Sequence, residues 1–87
     1  MFDVWETTRP ARRLGEGSSY DDALDVLDEA CLTRHRQAVA NGEGATGMRF
    51  HFEIREGAAV VAGLSWRPDT DRPYSSVAAT MRRVQEW

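Results

Sequence analysis

Residues 48–55 alternate apolar and polar side chains without a break: Met48, Phe50, Phe52 and Ile54 interleave with Arg49, His51, Glu53 and Arg55. An extended strand points successive side chains to opposite faces, so the pattern specifies a strand with one buried and one solvated face. Such a strand needs a sheet around it that is covered on one side. Glu56-Gly57 turns the chain into a second apolar run, residues 58–66, which Pro68 stops. A three-residue loop, 56–58, sets Ile54 opposite Val60, Phe52 opposite Ala62, Phe50 opposite Leu64 and Met48 opposite Trp66. A two-residue loop would turn Val60, Leu64 and Trp66 to the polar side, so the pattern favours the odd length.

The other elements follow from local signals. Residues 2–8 mix aromatic, β-branched and polar side chains, and Arg9-Pro10-Ala11-Arg12 is a turn, which predicts strand, turn and short strand. The second strand is the least marked, since the glycines of 13–17 suit an edge or a bulge. Ser18-Ser19 supplies an N-cap, with Asp22 three residues after Ser19. The helix it opens carries Tyr20, Ala23, Leu24, Leu27, Ala30, Cys31 and Ala38 on one apolar stripe, interrupted by Arg34, whose stem can snorkel. Acids in its first half, Arg34, His35 and Arg36 in its second, and Asn41-Gly42 beyond fit its direction and end. After the turn-rich 69–72, Pro73 suits the first turn of a second helix with Tyr74, Val77, Ala78, Met81 and Val84 as its stripe. The order is therefore ββαββα, an α+β two-layer sandwich: a four-stranded antiparallel sheet with two helices packed on one face.

With 87 residues there is room for one small domain, residues 1–87, and its thin stability margin leaves a homodimer among the expectations. Cys31 is the sole cysteine, so no intrachain disulfide forms. Neither a secretion signal nor an apolar run of roughly 20 residues is present, which predicts a cytoplasmic protein with no membrane partner. All eleven basic residues are arginine, with one isoleucine and one asparagine, a usage that fits GC-rich codons and a bacterial or phage origin.

Chemistry is sparse. Gly15-Glu16-Gly17 before a helix superficially suits a phosphate, but it lacks a lysine and Glu16, Asp21 and Asp22 would repel the anion. Cys31 and His35, four apart on a helix, adjoin as a thiolate–imidazole pair would. Cys31 lies mid-stripe, however, and the only other histidine is His51. No serine–histidine–acid set is legible either. The expectation is a non-enzyme with no catalytic residue, no metal site and no cofactor.

Two surfaces remain. On the outer face of the first helix Asp21, Asp22, Asp25, Asp28 and Glu29 cluster, with like-charge pairs Asp21/Asp25 and Asp25/Glu29 at i,i+4. The helix dipole compensates acids of the first turn only, and a basic partner protein, itself a nucleic-acid-binding one for example, would compensate the rest. Read as one uniform face, neutralising Asp21, Asp25, Asp28 and Glu29 should leave the fold as stable or slightly more so. The alternative is the solvated sheet face, where Arg49, His51 and Arg55 would adjoin Trp5 if the N-terminal strand is the neighbour, a combination that single-stranded nucleic acid can stack on. Both patterns are also what ordinary solvated faces present.

The run Gly15-Glu16-Gly17-Ser18-Ser19-Tyr20-Asp21-Asp22-Ala23-Leu24 resembles the strand-to-helix passage of HicB-type antitoxins, where a glycine and a Ser/Thr precede an acidic helix start. It covers ten residues of 87, without that family's upstream proline–glycine element or an evident DNA-binding tail, and no membership is drawn from it. The expected function is that of a stoichiometric inhibitor or adaptor: an antitoxin, an immunity protein or an anti-CRISPR-like anti-defence protein. The runners-up are a nucleic-acid-binding module and a small subunit of a larger complex.

Overall fold

The computed structural model describes residues 1–8, 11–42 and 49–85, the side chains of Val84 and Gln85 excepted. Its elements are β1 (Phe2–Glu6), β2 (Arg12–Gly17), α1 (Tyr20–Ala40), β3 (Phe50–Glu56), β4 (Ala59–Trp66) and α2 (Val77–Gln85). The strands form one antiparallel sheet in the order β2-β1-β3-β4, so the two hairpins join through β1 and β3. The α+β, ββαββα reading holds. The turn at Arg9-Pro10 and the pairing expected for Met48 lie outside the described residues.

One side of the sheet is covered and, among the described residues, the other is not. Val4 of β1 with Phe52 and Ile54 of β3 packs against Ala23, Leu24, Leu27 and Cys31 of α1 and Val77 and Ala78 of α2. The helix starts where the sequence places it: Ser19 is the N-cap and its hydroxyl accepts from the Asp22 amide at 3.1 Å. Gly17 is required just before it, because a Cβ there would stand 2.5 Å from the Ala23 nitrogen and 2.8 Å from the Asp22 carbonyl carbon. His35 joins the buried stripe of α1, a place the apolar pattern did not give it.

The β3–β4 hairpin keeps the expected faces but not the expected register. Glu56 pairs with Ala59 around a two-residue turn, Gly57-Ala58, in which Gly57 takes a positive φ of 59°. The parity problem of an even loop is solved by a bulge at Val61: Arg55 pairs with Val60, but Ile54 with Ala62. Phe52 then pairs with Leu64 and Phe50 with Trp66, each two residues further along β4 than the bulge-free loop implies.

The second helix starts later than Pro73. Ser76 precedes it and its hydroxyl accepts from the Ala79 amide at 3.2 Å, an N-cap that leaves Tyr74 outside the helix. Tyr74 still packs against the core, with its ring edge-on to Trp66 at 6.5 Å and to His35 at 5.7 Å. No helix among the described residues is long and apolar enough to cross a membrane.

Candidate functional site

The uncovered face of the sheet is a grid set by strand register. Asp3 lies between Glu16 and Arg55, Trp5 between Arg13 and Glu53, and His51 beside Ser65. The grid brings His51 and Arg55 onto one surface, as the alternation implied, and the β1–β3 pairing adds Trp5. Trp5 is half-buried, and the Arg55 guanidinium stacks over its ring, 4.8 Å from the centroid. Glu53 fixes Arg55 in that pose through a 2.8 Å ion pair. Beside them Arg13 is held by Asp3 at 2.9 Å and Glu16 at 2.6 Å, and Arg49 donates to the Ser65 hydroxyl at 3.3 Å. Arginines and acids on this face are thus balanced, and the aromatic centre is pre-organised.

The acids of α1 are not one free surface. Arg82 of α2 bridges Asp21 and Asp25, the latter at 2.7 Å, so the cation that compensates them comes from the same chain. That bridge raises the Arg82 pKa, chiefly through its hydrogen bonds to Asp25 and Asp21. Asp28 is half-buried and holds the start of α2: its Oδ1 accepts from the Tyr74 hydroxyl at 2.6 Å, the Ser76 hydroxyl at 3.1 Å and the Ala78 amide at 3.2 Å. Asp22 accepts from the Ser18 hydroxyl at 2.8 Å. Glu29 lines an open groove of about 590 Å³ between α1 and the β2 edge, with Leu14, Val26 and Ala30 as its apolar part.

One cluster escaped the sequence reading. Glu6 is only 5% exposed; Arg34 donates to both of its carboxylate oxygens at 2.7 Å, and Arg12 adds a contact at 3.2 Å. The signal was present, because Glu6 shares its strand face with Phe2 and Val4 and so points into the core. Arg34, read as a snorkelling interruption, is the partner that makes this burial tolerable. Its guanidinium also lies 4.9 Å above the Phe50 ring.

Cys31 and His35 are both buried. Burial foremost, and then the nearby Asp28 charge, pushes the Cys31 thiol up to about 12, opposite to the direction a nucleophilic thiolate needs. Burial and the bond to Asp28 likewise raise the Tyr74 phenol. Among the described residues no group of three or more His, Cys, Asp or Glu side chains comes together as metal ligands would. Compared with known proteins, the chain matches no family model, no curated protein and no solved structure, so the reading of its surfaces rests on its own residues.

Proposed function

We propose that the protein is a non-catalytic binding module, a stoichiometric inhibitor or adaptor, that docks a partner protein through the uncovered face of its sheet. The observation that carries this reading is the Trp5–Arg55–Glu53 stack at the centre of that face. Tryptophan and arginine dominate the energetics of protein interfaces, and side chains already held in place lose little entropy on docking. The balance of charge around the stack suits a protein surface better than a phosphate backbone, whose affinity grows with unpaired cations. The acidic face keeps a lesser part: of its five carboxylates, Asp21, Asp25 and Asp28 already have cationic or hydrogen-bonding partners on α2 or just before it, leaving Asp22 and Glu29 to steer a basic rim. A small domain of this kind fits antitoxins, immunity proteins and anti-CRISPR-like inhibitors.

Arg49 and His51, which no acid holds among the described residues, favour a second reading in which the same face stacks single-stranded nucleic acid. The two separate in one experiment. Wild type and Trp5→Ala are titrated with fluorescent single-stranded oligonucleotides across a salt series and used in parallel as capture baits in lysate of the source cell. The protein-binding reading expects oligonucleotide affinity no tighter than non-specific, about 10⁻⁴ M at physiological salt, and a stoichiometric protein partner lost on Trp5→Ala. Tight, steeply salt-dependent oligonucleotide binding that Trp5→Ala abolishes would replace it with the second.

A further inference from the structure

The two edges of the sheet are built differently. The β2 edge carries Arg12, Arg13 and Glu16, is bulged at Leu14, and has Arg13 tied to Asp3 and Glu16, the features by which proteins discourage strand addition. The β4 edge lacks the charges and ion pairs, and its bulge, at Val61, leaves residues 62–66 in regular pairing with β3. Its eight residues, Ala59–Trp66, contain no charge and no proline, and Val60 and Val61 are 55% and 42% exposed. Among the described residues the β4 backbone bonds only to β3, so its outer amides and carbonyls are free to pair. The first charges met on leaving the strand are Glu56, before the turn, and Arg67, directly after it. Both are exposed, and neither has an ion-pair partner among the described residues.

We propose that β4 is a self-pairing edge: two copies of the chain join β4 to β4, antiparallel across a two-fold axis, into one continuous sheet. A charge-free strand meets its own copy without like-charge repulsion. Antiparallel overlap also sets the turn end of each β4, where Glu56 stands beside Ala59 at the end of β3, against the Arg67 end of the partner strand, so unlike charges lie near each other at both ends of the junction. Parallel pairing would bring Glu56 to Glu56. The two-fold is isologous, so each contact forms twice and closes the assembly at two chains. A single strand pair buries less than the roughly 1,600 Å² of a standard stable interface, so the dimer is reversible and concentration-dependent. The uncovered face is continuous across the junction, and the dimer carries two Trp5 centres on the same side. This pairing goes beyond the functional reading above and does not depend on it.

Sedimentation of the full chain from about 5 μM to about 500 μM, the range in which small interfaces exchange, reads the assembly directly. The weight-average mass should rise from one chain towards two. Glu56→Arg or Arg67→Glu alone places like charges at both ends and should weaken dimerisation about tenfold, and the double swap should restore it. Val61→Lys, with a charge on the edge itself, should stay monomeric. The charge swaps sit at exposed positions outside the core, and thermal unfolding of each variant confirms that monomer stability is kept. Trp5→Ala should leave the mass curve unchanged, which keeps this test separate from that of the sheet face. A mass of one chain throughout, or a dimer indifferent to all the swaps, would overturn the proposal, the latter by placing the contact elsewhere.

Discussion

Replacing Asp28 by alanine removes the acceptor that ties α2 to α1. Its Oδ1 serves the Tyr74 hydroxyl, the Ser76 hydroxyl and the Ala78 amide, and Ala78 is 1% exposed, so water cannot take over that amide. A buried donor left unsatisfied costs about 1 to 3 kcal/mol, and the lost bonds to a charged acceptor add to it, for a total of about 2 to 4 kcal/mol. A chain of 87 residues has about 4 to 13 kcal/mol in all, so the change is a large fraction of its stability. Asp28→Asn keeps one oxygen to accept and should lose about half as much. This differs from the expectation for a uniform acidic face, in which neutralising the acids leaves the fold no less stable. Asp21→Asn and Asp25→Asn, whose pairs with Arg82 are exposed, should change little. The assay is urea unfolding followed by circular dichroism, with amide exchange read at Ala78 and Ala79. Asp28→Ala within about 0.5 kcal/mol of wild type would refute the capping role.

The buried ion cluster makes Arg34→Ala costly, about 3 kcal/mol by denaturation, because among the described residues Glu6 would keep only the 3.2 Å contact to Arg12. Phe52→Ala, at a position 2% exposed in the centre of the sheet, should lose about 3 to 5 kcal/mol in the same assay. The Cys31 thiol should react with a thiol reagent only on unfolding; rapid labelling of native protein would contradict its burial. Its pKa rises on folding from an ordinary 9.0 to about 12, so its contribution is intact below pH 9 and is lost as pH climbs from about 9 to about 12. Unfolding midpoints should fall across that window, and less steeply in Cys31→Ala.

What the sequence makes legible is what neighbouring residues decide. The alternation of β3, the Ser19 cap of α1 and the two-layer architecture are of this kind, because period and capping chemistry act within a few residues. The hairpin register was not, since a two-residue turn and a bulge at Val61 give β4 the same faces as an odd loop, and the apolar pattern sees only the faces. The start of α2 was misplaced because Pro73 is a permitted first residue, whereas Tyr74 is drawn out of the helix to meet Asp28, 46 residues away in sequence. The same distance hides the division of labour among the acids: spacing puts Asp21, Asp25 and Asp28 on one helix face, and only the packing of α2 shows Arg82 and Ser76 waiting opposite them. On the sheet face Arg49, His51 and Arg55 were readable from parity, and Trp5 joined them through β1–β3 pairing, which no local signal encodes.

The sheet-face reading is tested most directly by mapping where a captured partner protein contacts the chain. Amide exchange of the protein, alone and with that partner, should show new protection over β1 and β3 around Trp5, Glu53 and Arg55, with Asp22 and Glu29 of α1 unchanged or affected only at the rim. Trp5→Ala, folded and as stable as wild type, should lose the partner, and the Asp22→Asn, Glu29→Gln double variant should retain it with weaker salt dependence. Protection centred on α1, with binding kept by Trp5→Ala and lost in the acidic variant, would contradict the reading and return the binding surface to the helix.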